Sequence, residues 1–136
     1  MSSRPNDAQQ DGESITLPLA GRQVSRCYVD MAFGIQFFGP GGDATIVIET
    51  AFQLRRAENV WNLSPGYRSN VCEALRIVWE TIDRATVSRD GRLQLSFTDG
   101  AELIVSPDPS YESWHVHGPG DLRLIGTPGG GVAIFE

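Results

Sequence analysis

The sequence predicts an α+β fold: a curved antiparallel β-sheet or partly open β-barrel of about eight short strands, with one helix packed against it. Two observations predict the sheet. Apolar and polar residues alternate along much of the chain, and turn-forming glycines and prolines separate the alternating stretches. A third observation predicts the helix, because apolar residues recur at helical spacing from Val71 to Val78.

The first half of the chain predicts strands within Ile15–Phe38 and Ala44–Leu54, separated by the glycine-rich turn at residues 39–42. Asn70 is followed three residues later by Glu73, a spacing that resembles a capping box. The predicted helix therefore begins at this point and packs on the sheet.

A meander of three antiparallel strands is the clearest pattern in the second half. Its strands are predicted over Ile82–Ser88, Leu93–Phe97 and Leu103–Val105. Asp90–Gly91 and Asp99–Gly100 join them, because Asp-Gly suits hairpin turns that require positive φ angles. Three further short strands are predicted at Ser113–His117, Leu122–Ile125 and Val132–Phe135.

The predicted core follows from the apolar positions on one face of each element. Trp114 is placed in it because polar residues flank it on both sides, and Cys27 and Cys72 are expected to be half-buried. The predicted core comprises Val24, Tyr28, Ile46, Ile48, Leu75, Val78, Leu93, Leu95, Phe97, Leu103, Val105, Trp114 and Val116.

The chain is predicted to be a disordered tail over residues 1–13 and a single β-rich domain over residues 14–136. The first thirteen residues are polar and without apolar periodicity. We expect a cytoplasmic protein that does not associate with membranes, since no secretory signal or long apolar run occurs. Two cysteines are too few for a disulfide framework.

The charge balance favours some partners and argues against others. The net charge is −6 and the pI is near 4.8, which argues against nucleic-acid binding. An acidic surface instead favours a protein partner with a basic surface. Arg55–Arg56 is the only doubled basic site, and it is predicted to lie in a solvated loop.

His115 and His117 are the only histidines, and their spacing places both side chains on one face of a strand. Two imidazoles on one face are a candidate site for a transition metal, and Asp121 is a candidate third ligand. Small β-barrel metalloproteins of the cupin type use a similar His-x-His pattern. The alternative is that these histidines are polar residues on a solvent-facing strand.

No nucleophile motif, zinc motif or dinucleotide fingerprint occurs in the sequence. Tyr111–Glu112 is a candidate acid/base pair, but no nucleophile accompanies it. We interpret it as a chain corner in which the tyrosine ring is packed. The protein is therefore expected not to be an enzyme and to carry no cofactor.

Tyr111–Glu112–Ser113–Trp114 follows a hairpin and precedes a Pro128–Gly129–Gly130 turn. This arrangement resembles a family of small bacterial proteins of unknown function, which have a Tyr-Glu-Ala/Ser-Trp segment and a C-terminal Pro-Gly-Gly turn. Members of that family look like some immunity proteins that accompany secreted toxins.

The acidity, the small size and the missing catalytic set together predict a non-catalytic protein-binding module, with an immunity-type inhibitor as one form of it. One alternative is a small-molecule or metal-binding β-barrel that uses the His115 and His117 face. Another is a homo-oligomeric structural protein, in which an edge strand such as Val132–Phe135 pairs across a two-fold axis to form a homodimer.

Overall fold

The computed structural model describes residues 9–11, 14–66 and 70–135. These residues form thirteen strands in two antiparallel sheets, and their single helix is one short 3₁₀ helix. The predicted α+β class with about eight strands and one packed helix is therefore wrong, because the chain is nearly all β. The strands are β1 (Gln9–Asp11), β2 (Ser14–Thr16), β3 (Gln23–Val29), β4 (Phe33–Phe38), β5 (Ala44–Ile48), β6 (Phe52–Arg56), β7 (Asn59–Leu63), β8 (Ile82–Ser88), β9 (Leu93–Phe97), β10 (Glu102–Val105), β11 (Trp114–His117), β12 (Arg123–Gly126) and β13 (Val132–Phe135), and the 3₁₀ helix is Cys72–Ile77.

The two sheets are open, so the predicted partly open barrel is replaced by two layers. One sheet has seven strands in the order β1-β2-β8-β9-β10-β6-β7, and the other has six in the order β13-β12-β11-β5-β4-β3. The chain changes sheets after β2, β5 and β10. The predicted meander is confirmed as β8–β9–β10, and the last three predicted strands are confirmed as β11–β12–β13.

One hydrophobic core lies between the two sheets. Phe33 of the six-stranded sheet stacks on Phe52 of the seven-stranded sheet, with ring centroids 5.4 Å apart. Trp114 is fully buried, and its indole nitrogen donates a hydrogen bond across the core to the Gly91 carbonyl. These contacts explain why apolar residues alternate along the strands, since each strand buries only the face that meets the other sheet.

The predicted helix is corrected to a single 3₁₀ helix. Ala74 and Ile77 of this helix and Val71 just before it are buried, and they are three residues apart, as expected for three residues per turn. The α-helical spacing instead placed Leu75 and Val78 in the core. Leu75 is exposed and Val78 is half-buried, so both assignments are wrong.

A β-bulge corrects the predicted position of Tyr28. The pairing of β3 with β4 shifts at Ser25, so that Val24 and Cys27 both face the core. A bulge adds one residue and reverses the alternation beyond it. Tyr28 therefore lies on the outer face, where its ring covers Gly34 of the neighbouring strand. The remaining predicted core residues are buried.

Strand β7 was not predicted, and Arg55–Arg56 is not in a loop. Both arginines belong to β6, which pairs with β7. The Arg56 guanidinium forms an ion pair with Asp99, so it ties β6 to the turn between β9 and β10. The sequence pattern missed this hairpin because its connection has no proline or glycine.

The predicted disordered tail falls largely outside the described residues, because residues 1–8, 12 and 13 are not among them. Within it, Gln9–Asp11 is described and pairs with Ser14–Thr16. The division into a tail and a domain stays a prediction. In the described part of the chain, no helix has the length and apolar character needed to cross a membrane.

Candidate binding groove

A surface groove of about 630 Å³ lies at one end of the six-stranded sheet. The β3–β4 hairpin, the end of β5, the segment before β11 and the loop after β12 meet there. Among the described residues that line it, two are glutamates and none is basic. We call it the acidic groove, and define it by Met31, Glu49, Ser110, Tyr111, Glu112 and Pro128.

Tyr111 projects from a loop that is held by hydrogen bonds. One Asp108 carboxylate oxygen accepts bonds from the backbone N–H groups of Ser110 and Tyr111, at 2.8 and 3.0 Å. The Asp108 carbonyl accepts a further bond from the Gly129 N–H at 2.7 Å. Tyr111 is 72% exposed, so the predicted packing of its ring in a corner is wrong. The loop instead presents the ring at the rim of the acidic groove.

Met31 also lines the acidic groove, at the tip of the β3–β4 hairpin. Asp30 and Ala32 exchange two bonds across it, since the Asp30 carboxylate accepts from the Ala32 N–H and the Asp30 N–H donates to the Ala32 carbonyl. This turn leaves Met31 75% exposed. An aromatic and a thioether side chain thus flank the same acidic groove, each on a hydrogen-bonded turn.

Two carboxylates that line the acidic groove meet one imidazole. The Glu49 N–H donates to the Ser113 carbonyl at 2.9 Å, which continues the β5–β11 ladder and brings Glu49 beside Glu112. His115 Nε2 lies 3.1 Å from Glu49 Oε2 and 3.5 Å from Glu112 Oε1. Among the described residues, the second oxygen of each carboxylate has no hydrogen-bond partner.

The predicted orientation of the two histidines is confirmed. His115 and His117 lie on the outer face of β11, opposite the buried Trp114 and Val116. Asp121 lies in the turn between β11 and β12 and is exposed.

The environment of His117 is cationic. Partial burial, Arg123 and His115 lower the pKa of His117 from its ordinary value, with burial the largest cause. Considering only residues that the structure describes, no three His, Cys, Asp or Glu side chains form a group that could hold a metal ion. The metal site of His115, His117 and Asp121 stays a prediction.

The sequence did not identify Met31 and Glu49 as parts of a site. Glu49 ends a strand and Met31 lies in a hairpin turn, so each has an ordinary local context. Only the pairing of β5 with β4 and β11 brings them beside Tyr111, which lies far along the chain. No local pattern signals such a juxtaposition.

The two cysteines differ in their surroundings. Cys27 packs against the core, and burial raises the pKa of its thiol to about 12. Cys72 is exposed, so the expectation that it is half-buried is wrong. Both thiols are free.

Trp79 is a second exposed aromatic residue, outside the acidic groove. Its φ angle is 74° and its side chain is 63% exposed. The backbone N–H of Trp79 donates a hydrogen bond to the Val24 carbonyl, and the Trp79 carbonyl accepts one from the Gln23 side-chain amide. These bonds hold the backbone of Trp79 in the left-handed region, which residues other than glycine rarely adopt.

Comparison with known proteins identifies the family of the chain. The model of a family of unknown function, DUF6188, matches residues 15–136, so the chain belongs to that family. This confirms the resemblance to a family of unknown function. No curated protein and no solved structure matches the chain.

Proposed function

We propose that this member of DUF6188 is a non-catalytic protein-binding module whose acidic groove contacts a basic surface of its partner. One observation carries the proposal. The two most exposed large apolar side chains of the described residues, Met31 and Tyr111, flank the same groove, which two glutamates also line.

The chemistry of the acidic groove is that of a protein interface. Tyrosine and methionine are enriched at interfaces, where they bury a large area with few rotatable bonds or adapt to the partner surface. Hydrogen bonds in the turns at Asp30 and Asp108 hold the backbone that carries both side chains, which lowers the backbone entropy that association costs. The glutamates speed the approach of a basic partner and exclude acidic ones.

An immunity-type inhibitor is the form of this proposal that we favour. Such an inhibitor needs only a surface that complements its target, and it needs no catalytic group. The proposal includes a cytoplasmic location, which fits the two free thiols of Cys27 and Cys72.

The proposal is tested by identifying a partner and then measuring its affinity directly. The full chain captures proteins from the lysate of its source organism, and the product of each neighbouring gene is tested as well. Candidates are purified and titrated calorimetrically with the wild type and a Met31→Ser/Tyr111→Ser variant. We expect a saturable complex that the double variant weakens by about tenfold or more.

The control is Val60→Ser, which removes an exposed apolar side chain from β7, on the other sheet. The proposal holds if this variant binds as the wild type does. It fails if no protein binds saturably, or if the groove variant and the control lose affinity equally.

A homodimer is a second candidate, which the edge strand β13 favours. Among the described strands it pairs with β12 alone, and its Ile134 and Phe135 are exposed. It has none of the charges, prolines or bulges that commonly protect an edge. A two-fold axis perpendicular to the sheet keeps each side chain on its own face, so paired residues are an even number of positions apart. One residue near the middle of the strand, Ala133 or Ile134, must therefore lie opposite its own copy.

Sedimentation velocity over a range of concentrations tests this candidate. We expect a concentration-dependent dimer that Ile134→Lys abolishes, since the charge would be buried in the new pairing. Val60→Lys is the control, because it places the same charge on the edge strand of the other sheet. A monomer at every concentration would exclude the dimer.

A further inference from the structure

We infer that the acidic groove binds an arginine side chain of the partner, with its guanidinium held by Glu49 and Glu112 and stacked on Tyr111. This inference rests on the proposed function and specifies the chemical group that the partner supplies.

The two carboxylates are close enough to share one cation. Glu49 Oε2 and Glu112 Oε1 both lie within 3.5 Å of His115 Nε2, so they are no more than twice that distance apart. Each is about half exposed, so neither is closed off from an incoming group. A single planar cation therefore can reach both carboxylates from solvent.

His115 does not satisfy this pair of carboxylates. A ring nitrogen carries at most one proton, and Nε2 is the His115 atom that approaches the two glutamates. One proton at that nitrogen serves one carboxylate well and leaves the other without a donor from His115. Of the residues that the structure describes, no basic one lines the acidic groove to make up the difference. The groove thus retains negative charge that a cation from a partner would neutralise.

The groove walls favour arginine over lysine. A guanidinium is planar, has five N–H donors in a fixed fork, and stacks on aromatic rings, whereas an ammonium is a compact point charge. Tyr111 supplies an exposed ring, and Met31 supplies an apolar surface for the methylene stem. Two neighbouring carboxylates match the several donors of one guanidinium.

The test uses a blocked glycine–arginine–glycine peptide and the ¹⁵N-labelled full chain. We expect saturable amide shifts at Glu49, Tyr111 and Glu112. A peptide with citrulline in place of arginine has the same shape but no charge, and should bind at least about tenfold more weakly. A lysine peptide should bind with intermediate affinity.

The Glu49→Gln/Glu112→Gln variant removes both charges while it preserves side-chain size, and should bind the arginine peptide about tenfold or more weakly. Tyr111→Leu, which keeps an apolar side chain without the ring, should weaken binding by about two- to fivefold. The matched control is Asp83→Asn, which removes an exposed charge from β8 of the other sheet. It should bind as the wild type does.

The inference is overturned if the citrulline peptide binds as well as the arginine peptide, if the glutamine variant binds unchanged, or if no saturable shift occurs. These results are distinguishable from a failure of the proposed function. If the arginine inference alone fails, a purified partner would still lose affinity for the Met31→Ser/Tyr111→Ser variant. The protein-binding function would then stand, and only the arginine assignment would be withdrawn.

Discussion

The indole N–H of Trp114 donates a hydrogen bond to the Gly91 carbonyl at 2.8 Å, and this bond joins the two sheets. Trp114 lies in β11 of the six-stranded sheet, whereas Gly91 lies in the turn between β8 and β9 of the other. The turn is also packed tightly, because a Cβ on Gly91 would lie 2.8 Å from the Gly131 carbonyl oxygen. One buried tryptophan thus fixes the position of a turn that the Asp-Gly pattern predicted.

Trp114→Phe should lower the free energy of unfolding by about 3 kcal/mol. The change leaves the Gly91 carbonyl without its buried donor and opens a cavity where the indole ring was. Denaturant unfolding measures the loss. Trp79→Phe is the control, and should change stability by less than about 0.5 kcal/mol because that side chain is largely exposed. Equal effects of the two substitutions would contradict the assignment.

Gly34→Ala should destabilise the outer face of the six-stranded sheet by about 1–3 kcal/mol. A Cβ at this position would overlap the Tyr28 ring, so the ring would have to leave its place over the strand. In a Tyr28→Ala background the same change should cost much less, because the obstructing ring is absent. A double-mutant cycle by urea unfolding measures this coupling. Additive effects would show that the ring does not lie over Gly34.

His117 should titrate below its ordinary pKa of 6.5, because burial and the nearby Arg123 and His115 disfavour the imidazolium. The unfolded chain therefore binds this proton more readily than the folded chain. As the pH falls from 6.5 towards the lowered pKa of His117, the unfolded chain takes up the proton first and the free energy of unfolding decreases. Above pH 6.5 His117 is neutral in both states and causes no such loss.

NMR titration of the His117 ring protons measures this pKa. Arg123→Gln should move it back towards 6.5, since the substitution removes a repelling cation. Arg84→Gln, on a strand of the other sheet, should leave it unchanged. A pKa of His117 at or above 6.5 in the wild type would refute the prediction.

Cys72 should react with iodoacetamide at mildly alkaline pH while Cys27 stays protected. The thiolate is the reactive form, and burial raises the pKa of Cys27 to about 12, so almost none of it ionises. Cys72 is exposed. Mass spectrometry should find one label on the folded chain and a second only after denaturation. Simultaneous labelling of both cysteines would contradict the burial of Cys27.

Where the local pattern was regular, it predicted the structure well. The Asp90–Gly91 and Asp99–Gly100 turns lie where hairpins were expected, although only the glycine of each pair has a positive φ. His115 and His117 share a face because alternation along a strand is a property of the backbone itself. The 3₁₀ helix was missed because it has three residues per turn instead of about 3.6, which changes the positions that are buried. The bulge at Ser25 was missed because one extra residue reverses the alternation of the strand beyond it.

The acidic groove shows the same division most clearly. Local pattern and composition were enough to infer the alternating strands, the two Asp-Gly turns, the burial of Trp114 and the acidic charge. Each of these depends on residues close together in the chain or on composition. The meeting of Met31, Glu49 and Tyr111 in one groove became visible in the folded chain alone. Their meeting depends on which strands pair, and strand pairing is set by the packing of two whole sheets rather than by any local pattern.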